Sequence, residues 1–182
     1  MGKGRIVLVT CVMLGLATPV VASRGHPDFE ERIVAAHNDE RARSGLRALR
    51  WNPELAREAQ DWAQDLARRR VLEHADRRRT RGAGENLWMG TAGYYTLEDM
   101  MGGFIGEKRH FRPGRFPEVS RTGNWADVGH YTQIIWPTTE EVGCGVARGH
   151  DHEVLVCRYW PAGNWVGHSV GTSQERSRRK RR

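Results

Sequence analysis

The sequence predicts an α+β fold, because helical patterns fill its first part and strand-like runs follow them. Its clearest helix spans residues 53 to about 69, where apolar residues recur at three- and four-residue spacing behind the capping residue Asn52. Its clearest strands are residues 141–147 and 153–159, which a turn-like stretch joins. We therefore expect an antiparallel sheet packed against helices.

Two more helices are predicted in chain order. The first covers residues 27–44, where apolar residues fall near one face and Gly45 is placed to end the helix. The other begins at Thr96, which forms a capping pattern with Asp99. It is expected to run to about residue 110, although the glycines within it weaken a helix.

Two stretches complete the secondary-structure prediction. Residues 68–81 hold seven arginines and are expected to form an exposed loop. Residues 130–136 are rich in aromatic and β-branched side chains and are expected to form a third strand.

The N-terminus has the pattern of a secretory signal. Lys3 and Arg5 precede an uncharged apolar run, and small residues end at Ala22, where cleavage is expected. The apolar run is shorter than the ~20 residues that a bilayer span needs. A membrane anchor and a lipoprotein signal at Cys11 are the less favoured alternatives. Residues 1–22 are thus predicted to leave, so that a secreted or periplasmic domain over residues 23–171 remains, without a transmembrane segment.

The formal net charge of +7 arises at the two ends of the chain, since residues 172–182 hold six basic residues and one Glu, and the predicted signal holds Lys3 and Arg5. Once the predicted signal and residues 172–182 are set aside, the domain carries equal numbers of basic and acidic side chains. The tail is expected to be disordered and able to bind a polyanion or an anionic surface, without specificity for a nucleic acid. Its basic residues are Arg176, Arg178, Arg179, Lys180, Arg181 and Arg182.

Two cysteines remain after removal of the signal, and an even pair in an exported chain suggests a disulfide. In an antiparallel hairpin centred on the turn at residues 149–152, Cys144 lies opposite Cys157. Closing so short a loop would stabilise the fold by about 3 kcal/mol. Two buried free thiols are the alternative.

Three strings, in this order, identify a family resemblance. They are Gly84-Glu85-Asn86-Leu87-Trp88, Gly129-His130-Tyr131-Thr132-Gln133-Ile134-Ile135-Trp136 and Val156-Cys157-Arg158-Tyr159-Trp160-Pro161-Ala162-Gly163-Asn164-Trp165. Together they resemble the CAP superfamily of cysteine-rich secretory proteins, antigen 5 allergens and plant pathogenesis-related proteins of group one. The resemblance implies a single-domain member of bacterial type, with an α-β-α sandwich around a mainly antiparallel sheet. It leaves the activity open, since lipid binding, metal binding and proteolysis have all been linked to the family.

The resemblance also implies an open cleft that holds His74, Glu85, Glu107 and His130. Two neutral imidazoles suit Zn²⁺ or another divalent cation, so His74 and His130 are the candidate metal ligands. Glu85 and Glu107 would orient the imidazoles or act as candidate bases. A purely structural hydrogen-bond network is the alternative. The family usually has Trp three residues before the second glutamate, where this chain has Phe104.

The residues favour a binding module over an enzyme. His-Glu-x-x-His and Gly-x-Ser-x-Gly are both missing from the sequence, and the cysteines are expected to pair. The predicted ligands are a divalent cation, a lipid or sterol, or a peptide. A metal-assisted hydrolase and a structural or surface-interaction module are the alternatives. A second, less favoured metal site is the hairpin turn with His150 and His152.

Overall fold

The computed structural model of the protein describes residues 28–171. The predicted signal and the predicted basic tail lie outside the described residues. Five α-helices and six strands fill the described part of the chain, and two short 3-10 helices accompany them. They are α1 (Phe29–Arg43), β1 (Arg50–Trp51), α2 (Pro53–Arg69), α3 (Arg77–Thr80), β2 (Gly84–Thr91), α4 (Leu97–Ile105), a 3-10 helix (Gly106–Arg109), β3 (Gly114–Arg115), a 3-10 helix (Trp125–Val128), α5 (Gly129–Ile134), β4 (Glu141–Arg148), β5 (His152–Trp160) and β6 (Ser169–Val170).

The central sheet has the strand order β1-β4-β5-β2. β1 pairs with β4 in parallel, and the other two pairings are antiparallel. Helix α2 packs on β4 and β5, whereas α1, α4 and α5 form the other helical layer. The expected α+β fold with a mainly antiparallel sheet between helices is confirmed.

Helix α2 forms where the sequence predicts it. Asn52 Oδ1 accepts hydrogen bonds from Glu54 N at 2.9 Å and from Leu55 N at 3.1 Å, which caps the first turn. The apolar stripe of α2 packs against the sheet, and Gly143 of β4 lies directly beneath the helix backbone. A Cβ on Gly143 would lie 2.2 Å from Ala56 N, so only glycine permits this close approach.

The strand predicted at residues 130–136 is wrong, because these residues lie in helix α5 and just after it. Tyr131, Thr132, Gln133 and Ile134 are all buried, so no polar face marks the helical period. Strand β2 was missed, since its glycines and polar residues give no strand-like alternation. Residues 68–81 are not loop throughout, as they include the end of α2 and the short helix α3.

The β4–β5 hairpin confirms the predicted disulfide. Cys144 and Cys157 are register partners in the ladder and are bonded, with their Cα atoms 4.1 Å apart. Both residues are buried in the core that faces α1, α4 and α5. The disulfide therefore joins the two central strands beneath that helical layer.

A buried arginine fixes the end of helix α5. Arg41 donates to the carbonyl oxygens of Ile134 at 2.9 Å, Trp136 at 2.8 Å and Thr139 at 3.0 Å. These carbonyl groups lie at the end of the helix or just after it, and Trp136 O also accepts from the backbone N–H of Thr139 at 3.3 Å. Burial lowers the pKa of Arg41 to about 10, so the side chain stays charged at neutral pH. No helix among residues 28–171 is long and apolar enough to span a membrane.

Candidate functional site

All four site residues that the resemblance implies lie near one another, in two hydrogen-bonded pairs. His74, Glu85 and His130 line an open cleft of about 500 Å³, and the fourth residue, Glu107, does not line it but binds His130. The cleft lies where β2 begins, between the loop after α2 and the start of α5. Its lining residues are His74, Glu85, Asn86, Phe116, Pro117, Trp125, Ala126, Gly129, His130, Asn164 and Val166.

The first pair joins His74 to Glu85. His74 Nδ1 lies 3.0 Å from Glu85 Oε1, and the backbone N–H of Ala75 donates to the same oxygen at 3.0 Å. The carboxylate is buried, whereas 65% of the imidazole surface is exposed. The hydrogen bond from His74 to Glu85 raises the pKa of His74 above its ordinary value. Glu85 thus orients an imidazole whose other edge is open to solvent.

The second pair joins His130 to Glu107 and is bonded at more points. His130 Nδ1 lies 2.6 Å from Glu107 Oε1. Glu107 Oε2 accepts from the backbone N–H groups of His130 at 2.9 Å and Tyr131 at 3.1 Å. The carboxylate therefore satisfies free N–H groups in the first turn of α5 as well as orienting the ring. Phe104, the residue that replaces the usual Trp, packs against this imidazole with ring centroids 4.9 Å apart.

A buried polar chain fixes the backbone of His130. Asn86 Nδ2 donates to His130 O at 3.1 Å and to Tyr159 Oη at 3.0 Å. Tyr159 Oη in turn lies 2.9 Å from His37 Nε2, and His37 Nδ1 donates to Ile33 O at 2.8 Å. Burial lowers the pKa of His37 to about 4, so this histidine is neutral and accepts the tyrosine proton. The chain ties α1, β5 and β2 to the helix that carries His130.

Arg158 is a part of the site that the sequence reasoning missed. Its guanidinium is 3% exposed, with Nη1 2.9 Å from Glu58 Oε2 and Nε 3.5 Å from Glu85 Oε2. Glu85 thus lies between His74 on one side and a buried cation on the other. The sequence does contain a signal for it, because Arg158 directly follows the apolar residues Val156 and Cys157. A charged residue in a buried strand needs a partner of opposite charge.

Aromatic and apolar side chains also line the cleft. Phe116, Pro117, Trp125 and Val166 line this side. Trp125 packs edge-on to Phe116 with ring centroids 5.3 Å apart, and 46% of its surface remains exposed. A ligand in the cleft would therefore meet both imidazoles and an apolar surface.

The hydrogen bonds decide which atoms remain available for chemistry. An ionised carboxylate only accepts, so Nδ1 donates in both pairs, and a neutral imidazole then carries its lone pair on Nε2. Both oxygens of Glu107 accept hydrogen bonds, as does Oε1 of Glu85. Oε2 of Glu85 is buried without a hydrogen bond from any described residue and lies 3.5 Å from Arg158 Nε, so a nearby cation favours the ionised carboxylate. Within residues 28–171, no group of three or more His, Cys, Asp or Glu is arranged to hold a metal ion.

A second cavity, of about 370 Å³, lies between α1 and α4. Apolar side chains line part of it and polar or charged ones line the rest; the lining residues are Phe29, Arg32, Tyr95, Thr96, Leu97, Met100, Val146, Arg148 and Glu153. None of the four predicted site residues lines this cavity. It is a separate candidate for an apolar ligand.

Comparisons with known proteins agree with this architecture. The family model described as "Cysteine-rich secretory protein family" (CAP) matches residues 34–159. Pathogenesis-related leaf protein 4 of Solanum lycopersicum is 33% identical over 162 residues, which cover 88% of this chain and 92% of that protein. Venom allergen 5 of Polybia scutellaris rioplatensis is 34% identical over 141 residues, or 73% of this chain and 65% of that protein. The crystal structure of NaASP2 with Zn²⁺ has the same fold, with a TM-score of 0.69 at 22% identity, and the match covers 80% of this chain and 86% of that one.

Proposed function

The chain belongs to the cysteine-rich secretory protein (CAP) family, and from that premise we propose that it is an exported binding protein whose cleft holds a divalent cation between His74 and His130. The family description supports export. The two imidazoles that line one cleft support the choice of site.

One observation carries the proposal. In both pairs Nδ1 donates a hydrogen bond to the carboxylate, so Nε2 is the imidazole nitrogen that remains available to a ligand. A carboxylate behind a metal-bound histidine fixes the tautomer and makes the imidazole a better ligand. A purely structural role would explain the hydrogen bonds within each pair. It would not explain why the Nε2 atoms of two histidines that line the same cleft are both left without a hydrogen bond to any described residue.

Zinc is the cation that suits this donor set, because neutral imidazole nitrogen is among its preferred ligands. The fold shared with NaASP2, which was crystallised with Zn²⁺, supports the choice. With two protein ligands, binding should be weak and reversible compared with a structural zinc site. A bound cation would supply positive charge to the cleft, where it would attract anionic groups of a ligand.

Calorimetric titration of Zn²⁺ into the mature chain tests the proposal. We expect one-site binding that His74→Ala/His130→Ala abolishes. The matched control, His150→Ala/His168→Ala, removes two exposed imidazoles outside the cleft and should leave the affinity unchanged. If His74→Ala/His130→Ala bound Zn²⁺ as tightly as the unchanged protein, the two His–Glu pairs would have only a structural role.

An apolar ligand is a second candidate, because Phe29, Leu97, Met100 and Val146 line a cavity of suitable size for part of an acyl chain. Saturable binding of a fluorescent fatty acid should fall with Leu97→Trp, which fills the cavity. The same binding should persist in His74→Ala/His130→Ala. If the fatty acid binding were lost only in the histidine variant, the apolar ligand would bind in the first cleft instead.

A further inference from the structure

Although the domain is formally neutral, its arginines are unevenly distributed. A second open cleft, of about 460 Å³, lies between α2 and the segment that contains α3. We call it the arginine cleft, and its lining residues are Arg57, Glu58, Asp61, Trp62, Arg78, Arg79, Arg81 and Arg158. Five cationic side chains thus meet two carboxylates on one surface.

Both carboxylates of the arginine cleft already have partners. Glu58 accepts from Arg158 at 2.9 Å, and Asp61 lies 3.6 Å from Arg57. Among residues 28–171, no acidic side chain lies within ion-pair distance of Arg78 or Arg79. These two guanidinium groups are exposed and leave an excess of positive charge in the cleft.

Trp62 holds part of this surface in place. The guanidinium groups of Arg69 and Arg79 each lie over its indole, 5.3 Å from the ring. The indole itself is only 7% exposed. The stack therefore orders Arg79 but leaves no aromatic face free in the cleft.

We propose that the arginine cleft binds the sulfate groups of a sulfated polysaccharide. Guanidinium groups match the oxyanion geometry of sulfate and bind it with two parallel hydrogen bonds. Single-stranded nucleic acid fits less well, because its binding relies on exposed aromatic rings for base stacking. A bilayer surface also fits less well, since no exposed apolar side chain lines the cleft to insert among lipids. Arg158 contacts Glu85 of the first cleft, but Arg57, Arg78 and Arg79 line only the arginine cleft and not the cleft around His74 and His130. The basic tail is not part of this proposal.

The experiment uses the full mature chain with all basic residues of the tail changed to Gln, so that the tail contributes no binding. A heparin oligosaccharide and its desulfated counterpart are the probes, with affinity measured across a salt series. Arg78→Gln/Arg79→Gln is the cleft variant. Arg57→Gln is a second variant that leaves the Trp62 stack intact. Arg47→Gln/Arg112→Gln is the control of equal charge, since neither exposed side chain lines the cleft.

We expect the sulfated probe to bind and the desulfated probe not to bind. Arg78→Gln/Arg79→Gln should lower the affinity about tenfold and the salt slope by about 2, one counterion for each arginine removed. Arg57→Gln should also weaken binding, whereas the control pair should change the affinity less than about twofold. Equal loss in the control, unchanged affinity in both cleft variants, or tighter binding of single-stranded RNA or anionic vesicles would overturn the proposal.

Discussion

Arg158 and Glu85 are opposed residues of adjacent strands, and Arg158 Nε lies 3.5 Å from Glu85 Oε2. Because the other end of the same guanidinium binds Glu58, one buried cation serves two carboxylates. The second of them, Glu85, holds His74 at the mouth of the cleft. The orientation of an exposed imidazole thus depends on a charge in the interior of the sheet.

Arg158→Gln should destabilise the fold by about 3 kcal/mol, because two largely buried carboxylates would lose their cation. Urea denaturation measures the change. Arg57→Gln removes an exposed arginine of the same region and should cost less than about 0.5 kcal/mol. Equal stability of the two variants would mean that water compensates for the missing guanidinium.

Gly143→Ala should destabilise the protein by about 2 kcal/mol, because its Cβ would meet the backbone of α2 at Ala56 and Asn52. Gly102→Ala is the matched substitution within helix α4, where nothing lies within 4 Å of the new Cβ. It should stabilise the protein by about 1 kcal/mol. Thermal unfolding of both variants checks the pair, and an unchanged melting temperature for Gly143→Ala would contradict the close packing of α2 on β4.

Removal of the disulfide by Cys144→Ala/Cys157→Ala should lower the free energy of unfolding by about 3 kcal/mol, since the bridge restricts the unfolded chain. Guanidinium denaturation of the variant and of the oxidised protein gives the difference. Adding reductant to the variant should have no further effect. Equal stability of the variant and the oxidised protein would contradict a stabilising role for the bridge.

The Glu85 hydrogen bond to His74 makes stability depend on pH. The folded pKa of His74 lies above the unfolded value near 6.5. Its contribution to stability is therefore fully present below about 6.5 and is lost as pH rises through the folded pKa. Titration by NMR should show a raised pKa for His74 that Glu85→Gln returns toward the ordinary value. A pKa that Glu85→Gln leaves unchanged would contradict the assigned cause.

The sequence predicts best where local chemistry and packing agree. Asn52 and the apolar stripe after it specify α2, and the turn between Cys144 and Cys157 sets the hairpin register. The strand prediction for residues 130–136 failed because that segment is buried on all sides. The partnership of Arg158 with Glu85 could not be predicted either, since it needs β2, a strand without an alternating pattern.

The site residues were found by family resemblance, because nothing in their spacing joins His74 to Glu85 or Glu107 to His130. Their hydrogen bonds depend on where a loop, a strand, a 3-10 helix and α5 meet. The expected bacterial type stays a prediction, as do the signal and the role of the tail.

Nitrogen-detected NMR of the histidine side chains during zinc addition tests the central claim most directly. The account predicts that neutral His74 and His130 both carry the proton on Nδ1, and that zinc shifts both Nε2 signals together at one saturation point. Zinc shifts at His150 and His152 instead, or at only one of the two cleft histidines, would contradict a cation held between the pairs.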